Sequence, residues 1–482
     1  MNEIFQSING FLETMMFFDI LFGQVEGVTI PFLIAWLIAG GVYLTIKMNF
    51  INLRMFSHSF RIIKGDYQTK DDKGLISPFA ALTTALSATV GLGNIAGVAI
   101  AISIGGPGAT FWMIIAGFLG MSLKFTEVTL SLHYREFLKD GTVMGGAMEY
   151  LSKGLASKGW PRVGKYLAII FALFMIGGAI GGGNTFQVSQ ALAAVQTEIP
   201  FLVEYPIVFG IGLALITGVV IIGGVKRISH TTERIVPLMV VIYLSASLWI
   251  LISNYDAIPH AVMLIVTEAF APVAVAGGMV GVIIQGFQRA AFSSEAGLGS
   301  SPVAHAPARV KYPVRQGMVA LYEPFIDTVV VCTMTALVIV ITGVYDPVNG
   351  YAAFIEAKQG AALTSAAYGT VISWFPMILA VSITLFAFST MIAWSYYGER
   401  AWVYLFGSKY SMLYKLIFLS LTVVASVVST DLMVDFSFML ILAMALPNIF
   451  GLFILSGDVK RYLVDYLEKL KSGELDREAI RD

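Results

Sequence analysis

The chain of 482 residues is 57% hydrophobic and only 13% charged, with a formal net charge of −1. One soluble domain cannot hide so large an apolar fraction, because its surface requires far more polar groups; the composition excludes that class and implies a polytopic membrane protein. The single cysteine, Cys332, lies in an apolar run and excludes an intramolecular disulfide and a cysteine-cluster metal site.

The chain begins MNEIFQSINGFLETMMFFDILFG, with acids but no Lys or Arg. It therefore lacks the basic start of a cleaved signal peptide and reads as an interfacial helix. Crossing the hydrocarbon takes about 20 apolar residues, and eleven stretches qualify, at roughly 28–46, 79–104, 109–133, 164–194, 203–224, 232–253, 271–300, 314–343, 366–397, 410–430 and 433–456. Beyond about Gly457 the tail is charged and helix-prone, and it reads as a solvated cytoplasmic helix.

Threading these segments alternately across a bilayer fixes the side of every loop once one is assigned. With the loop 47–78 in the cytoplasm, its side collects the cations from Lys47 to Lys73, from Arg135 to Lys165, from Lys226 to Arg234 and from Arg309 to Arg315, together with Arg400 and Lys409. The opposite loops hold only Lys358. This asymmetry predicts an N-terminus outside and a C-terminus inside.

Segment two carries TVGLGNIAG at residues 89 to 97, three glycines and an asparagine within an apolar run. Gly91, Gly93 and Ala96 satisfy G-x-G-x-x-G/A, the dinucleotide-binding turn. That turn needs a preceding strand and an acid about 20 positions on, whereas the flanks here are PFAALTTALSA and VAIAISIGG, and residues 111 to 117 read FWMIIAG. The nucleotide reading is excluded. Gly93 and Gly97 also form G-x-x-x-G, a packing face in membranes, which explains neither Asn94 nor the polar break in segment seven.

Segments two to six span about 175 residues and segments seven to eleven about 185, the mark of a five-plus-five duplication whose halves are inverted and whose first helices are broken. Segment seven, GGMVGVIIQGFQRAAFSSEAGLGSSP, is interrupted by glycines, serines, an arginine and a glutamate. Unwound backbone in hydrocarbon costs several kcal/mol per unpaired group, so it persists only where protein, water or a ligand supplies the bonds. One half-helix then ends in free carbonyls that suit an ammonium or Na⁺, and the next begins with free amides that suit a carboxylate. A zwitterion with a co-transported cation matches both ends.

The stretches SATVGLGNIAG, AAFSSEAGLGSSP and LFAFSTMIAWSYYGER together resemble the alanine or glycine:cation symporter family of bacteria and archaea, over nearly the whole chain. The resemblance implies an all-α polytopic membrane protein of eleven transmembrane helices, a LeuT-type inverted five-plus-five repeat preceded by one extra helix. Residues 1–78 would hold the interfacial helix, the extra helix and a cytoplasmic loop, 79–254 and 271–456 the two repeats, and 457–482 the tail. It further implies uptake of alanine or glycine with Na⁺ or H⁺ across a prokaryotic plasma membrane, with no organic cofactor, no nucleic-acid partner and no obligatory protein partner.

By the same resemblance Gly91, Gly93 and Asn94 line the substrate carboxylate, and the carbonyls of Ser87 and Val90 face Na⁺. Asn94 and the Thr89 carbonyl offer a second cation position, and Ser389 and Thr390 in segment nine complete the sodium site. Trp394, one turn from Thr390 on the same helix face, meets the substrate. Phe292, Ser293 and Ser294 sit at the break of segment seven, with Phe292 as a lid, and Gln187 in segment four is a hydrogen-bonding candidate. For Ser389 and Thr390 the bland alternative is hydroxyls bonded back to their own helix.

Ionisable groups at membrane depth are costly and mark function by default. Arg289, Glu295, Glu323 and Asp327 are expected to form a network in which Arg289 pairs with an acid to hold the broken helix, or else to couple a proton. Lys124 and Glu127, three apart, are expected to snorkel and pair. His133, His230, His260 and His305 fall at loops or helix ends without zinc-ligand spacing. Neither H-E-x-x-H nor G-x-S-x-G occurs, so no enzyme is expected. A channel filtered by the polar breaks is the alternative from another class.

Overall fold

The computed structural model describes residues 10, 14, 17–24, 28–139, 141–271, 278–428 and 439–479. The expected N-terminal interfacial helix, the start of segment seven and the junction of segments ten and eleven lie largely outside the described residues. In chain order the main helices are α1 (Phe32–Lys47), α2 (Phe56–Lys64), α3 (Pro78–Thr89), α4 (Val98–Gly105), α5 (Ala109–Tyr134), α6 (Pro161–Ile180), α7 (Phe186–Gln196), α8 (Pro206–Ile221) and α9 (Gly224–Ser253). They continue with α10 (Ile258–Glu268), α11 (Gly278–Ser294), α12 (Pro313–Val319), α13 (Thr333–Thr342), α14 (Gly360–Val371), α15 (Phe375–Phe406), α16 (Ser411–Ala425), α17 (Ala445–Lys471) and α18 (Glu474–Glu478). Wider π-type turns precede α4 (Gly93–Gly97), join α6 to α7 (Gly181–Thr185) and precede α13 (Phe325–Cys332).

Six helical stretches among the described residues are long and apolar enough to cross a membrane, namely Ala109–Tyr134, Pro161–Gln196, Gly224–Ser253, Pro313–Thr342, Phe375–Phe406 and Met439–Lys471. A seventh is added if α3 and Gly93–Gly105, which meet at a 50° bend, count as one span. The protein is a helical, polytopic membrane protein. Among the described residues Glu136–Phe137 pairs antiparallel with Val143–Met144 in a short ladder.

Three expected segments change shape. Segment nine does not begin at residue 366: α14 ends at Val371, Ile372 is extended, and α15 starts afresh with Pro376 in its first turn. Proline suits the first turn of a helix, where its missing N–H would have no partner in any case. Segment seven stays helical through Ser294, and its interruption comes later, where Glu295, Gly297 and Gly299 take φ of 55°, 84° and 78°. Glycine is favoured at such angles because a Cβ would clash with the following carbonyl.

The third change concerns the tail, which is not a separate solvated helix. α17 runs unbroken from the membrane segment to Lys471, with Val459, Leu463 and Tyr466 buried. The Tyr466 hydroxyl lies 3.0 Å from His58 Nε2 on α2. Glu478 accepts from Lys311 Nζ at 3.0 Å and from the Tyr312 hydroxyl at 2.9 Å. Burial, aided by the charge of Arg61, pushes the His58 pKa down to about 4, so its ring is neutral at pH 7. The tail is a strap docked on the loops that precede segments two and eight.

Candidate functional site

Helix α3 opens on Ser77, whose Oγ accepts from the Ala80 amide at 3.0 Å, with Pro78 in the first turn. It ends at Thr89, and the sequence Val90-Gly91-Leu92 turns the chain before the wide turn begins. The amides of that turn find partners away from the regular ladder. Gly91 N donates to Asn94 Oδ1 at 2.8 Å and to the Thr89 carbonyl at 2.9 Å, while Leu92 N donates to Gln187 Oε1 at 3.3 Å. The Ile95 carbonyl accepts from Thr364 Oγ1 of α14 at 3.2 Å. Side chains thus satisfy the groups that the interruption exposes.

Helix α15 lies against this break. Ser87 Oγ donates to the Ser389 carbonyl at 2.7 Å and lies 2.6 Å from Ser389 Oγ, and Thr390 Oγ1 donates to the Ser87 carbonyl at 3.1 Å. Both hydroxyls bond across to α3, against the alternative of bonding back to their own helix. Ser87, Ser389 and Thr390 are buried, so five oxygens, three hydroxyl and two carbonyl, gather at the last turn of α3. Thr89 Oγ1 faces back toward the Ala85 and Leu86 carbonyls.

Opposite α15, helix α11 and the wide turn Phe325–Cys332 close on the same break. Asn94 Nδ2 donates to Asp327 Oδ1 at 2.6 Å and to the Asp327 carbonyl at 3.1 Å. Ser293 Oγ donates to Asp327 Oδ2 at 2.9 Å and lies 3.4 Å from Cys332 Sγ. A Cβ on Gly93 would stand 3.2 Å from the Ser293 α-carbon, which shows how closely the two chains approach. Asn94, Ser293 and Asp327 are all buried.

Of the remaining candidates, Gln187 joins the cluster through Leu92 and also donates from Nε2 to the Gly182 carbonyl at 2.8 Å. Phe292 is inside α11 and not in the unwound stretch. It packs edge-on against Phe186, with ring centroids 5.0 Å apart, and beside Gly182. Trp394 lies on the backbone of Gly183, where any Cβ would overlap the indole. Ser294 does not join the others. Its Oγ donates back to the Ala290 carbonyl at 2.8 Å, and it faces a small cavity shared with Leu37, Gly41 and Leu123. Successive helical residues point about 100° apart, so Ser293 and Ser294 cannot both face the break.

The membrane-depth charges also differ from expectation. Lys124 neither snorkels nor pairs with Glu127; it is fully buried, 3.2 Å from Glu323 and 2.5 Å from Ser301 Oγ. Glu127 instead accepts from Asn448 Nδ2 at 2.6 Å. His305 is buried between Glu323, which it contacts, and Gln316, 2.7 Å away. Glu295 accepts from Ser300 Oγ at 2.5 Å. Of the acids, Glu323 pairs with Lys124, while Glu295 and Asp327 are held by neighbouring hydroxyls and the Asn94 amide.

Sequence reasoning placed Asp327 in a charge network or a proton-coupling role and not at the break, saw in Cys332 only a lone cysteine in an apolar run, and passed over Thr364, Gly182 and Gly183. An aspartate in the run FIDTVVVC was a usable signal, but its distance of more than two hundred residues from Asn94 hid the contact. Two of the cavities in the structure carry polar linings. One of about 380 Å³ is lined by Ser189, Gln196, Gln359 and Ser426, and one of about 400 Å³ by Thr142, Lys226, Glu399 and Arg400. Neither lining includes a residue of the cluster. Buried oxygens, helix-end amides and two aromatic walls suit binding of a small zwitterion and a cation, and no group of three or more metal-ligating side chains occurs among the described residues.

Comparison with known proteins agrees with this chemistry. The model of the sodium:alanine symporter family matches residues 15–480. A sodium/alanine symporter of Methanococcus maripaludis is 39% identical over 430 residues, 89% of this chain and 92% of its own length. A probable sodium/glutamine symporter of Bacillus subtilis is 34% identical over 447 residues, 92% of this chain and 89% of its own. A putative sodium/proton-dependent alanine carrier of the same organism is 34% identical over 444 residues, 90% and 89% of the two chains.

Proposed function

The chain belongs to the sodium:alanine symporter family, and from that premise we propose that it couples inward movement of Na⁺ to uptake of alanine or glycine by alternating access between the two cavities. It is a Na⁺-coupled amino-acid symporter and not an enzyme. In this reading the fold is of LeuT type, with eleven spans. An extra helix lies within 1–78, repeats of five helices occupy 79–254 and 271–456, and the tail is 457–482. The N-terminus is outside and the C-terminus in the cytoplasm of a prokaryotic cell.

Na⁺ is held by the carbonyls of Ser87 and Val90 and the hydroxyls of Ser389 and Thr390, with Asn94 and the Thr89 carbonyl as a second cation position for Na⁺ or H⁺. The substrate carboxylate takes over the amides of Gly91 and Leu92 from Asn94 Oδ1 and Gln187 Oε1, helped by Gly93, while Ser293 Oγ, whose proton goes to Asp327, accepts from the substrate ammonium group. Phe292 and Trp394 limit the space around the α-carbon. Ser294 supports the end of α11 and does not touch substrate. External Na⁺ binds first, stabilises the interruption and raises affinity for the amino acid, after which segments two, three, seven and eight rock against the rest.

One observation supports this most: two hydroxyls of α15 reach across to the last turn of α3 immediately before its amides turn free of the helix. That places cation-type and carboxylate-type partners a few residues apart, as coupling requires. The test is uptake into proteoliposomes loaded without alanine. An inward Na⁺ gradient should drive accumulation above the external concentration, and alanine should bind more tightly with Na⁺ by roughly 5–150-fold, the usual range of coupling. Flux that does not saturate and only equilibrates would establish the channel instead.

A second expected result concerns the ligands. Asn94→Ala and Thr390→Ala should each weaken alanine uptake by about tenfold to a hundredfold, the effect of one hydrogen bond to a charged group. Folded protein should be recovered in normal amounts by size-exclusion chromatography. Wild-type uptake in both variants would remove these residues from the site.

A further inference from the structure

Resting on the symport reading above, we infer that Asp327 is a positioning residue of the transport site, one that fixes the Asn94 carboxamide and the Ser293 hydroxyl in their working orientation. Asp327 is fully buried in the wide turn Phe325–Cys332. Single π-type turns inside helices recur at functional sites, because the i→i+5 pattern displaces a side chain from its helical register. Here the displaced register carries Asp327 and Cys332 to the same neighbours, Asn94 and Ser293.

Hydrogen-bond polarity sets these orientations. An ionised carboxylate only accepts. Its Oδ1 takes the Asn94 amide nitrogen at 2.6 Å, and its Oδ2 takes the hydroxyls of Ser293 at 2.9 Å and Thr328 at 2.7 Å. The short distance to Asn94 fits a charge-assisted bond. With its nitrogen committed to Asp327, Asn94 must turn its oxygen the other way, onto the Gly91 amide at 2.8 Å. With its proton committed, Ser293 keeps only lone pairs for a ligand. Asp327 therefore presents acceptor oxygens to the break from residues that could otherwise offer donors, and a bound cation needs acceptors. When a substrate carboxylate takes the Gly91 amide, Asn94 Oδ1 is released already facing the site.

An amide at position 327 has the same shape but one donor face, so either Asn94 or the hydroxyls must reverse. Asp327→Asn should raise the alanine concentration for half-maximal Na⁺-driven uptake in proteoliposomes at least tenfold, while the maximal rate changes less than threefold and the thermal midpoint in detergent stays within a few degrees. In an Asn94→Ala background the same substitution should change half-saturation at least threefold less than it does in the wild type, because one of the two groups it acts through is gone. Asp327→Ser is the second variant and should show the same loss of affinity. A wild-type half-saturation in folded D327N, or an undiminished effect in the Asn94→Ala background, overturns the proposal. Failure of both D327N and D327S to fold assigns Asp327 a structural role and also overturns it. Absence of Na⁺-driven accumulation by the wild type in the same vesicles would instead strike the symport reading itself.

Discussion

Replacing Gly91 with alanine should lower Na⁺-driven alanine uptake by about a hundredfold at subsaturating alanine while leaving the protein folded. The added methyl group would run into Thr390 Oγ1, with Thr390 Cβ at 3.2 Å and Gln187 Oε1 at 3.5 Å. Thr390 cannot step aside freely, since it is buried in α15 and donates to the Ser87 carbonyl at 3.1 Å. Overpacking of this kind costs about 1–3 kcal/mol, and displacing Thr390 loses its bond as well, about 0.5–1.5 kcal/mol. Together they reach roughly the hundredfold expected, at 1.4 kcal/mol per factor of ten. Because the collision is with one side chain, the two substitutions must be strongly non-additive. Gly91→Ala should cost less than threefold further in a Thr390→Ala background. Uptake assays on the three variants give the cycle, and additive losses would mean that α15 does not close on the interruption as described.

Much of this site was legible because its parts announce themselves against an apolar background. GLGN stands out in a hydrophobic run, and the break it predicts falls at Val90–Leu92 with a 50° bend. Ser389 and Thr390 are hydroxyls at the depth where a partner was needed, and they meet Ser87. What stayed hidden depended on rotation or on distant pairing. Ser293 and Ser294 are equivalent as letters, and only the phase of α11 separates one that meets Asp327 from one that bonds its own helix. Lys124 and Glu127 have ideal spacing for a helical pair, yet tertiary contacts from Glu323 and Asn448 claim them separately. The serines suggest too early an end for α11, because the glycines that follow them carry the positive φ angles. The tail reads as solvated because its charges dominate its composition, whereas its apolar stripe Val459, Leu463, Tyr466 is what docks.

The largest loss of stability should follow from Glu323→Gln. Lys124 is fully buried on α5, and Glu323 stands 3.2 Å from its ammonium group, with Ser301 as a neutral second partner at 2.5 Å. Removing one partner of a buried pair leaves an uncompensated charge and costs about 3–5 kcal/mol. In a detergent melt this corresponds to a fall of about 3–5 °C for a chain of this length, compared at one scan rate because membrane proteins often unfold irreversibly. The introduced carboxamide can still bond His305, so the loss isolates the charge of Lys124 and not the histidine contact. Lys124→Met combined with Glu323→Gln should recover most of the midpoint, since no charge is then stranded. The consequence reaches the transport site through the frame it sits in. Lys124 and Glu323 join α5 to the stretch after α11 through Ser301 and His305, and Gln316 carries the chain of bonds to the Pro78 carbonyl at the start of α3, 3.3 Å away. The start of α3 and the stretch after α11 are therefore tied to the same buried charges. The single variant should lose uptake at temperatures below those that unfold the wild type, and the double variant should regain it. A midpoint for E323Q equal to that of the wild type would show that Lys124 does not depend on this carboxylate.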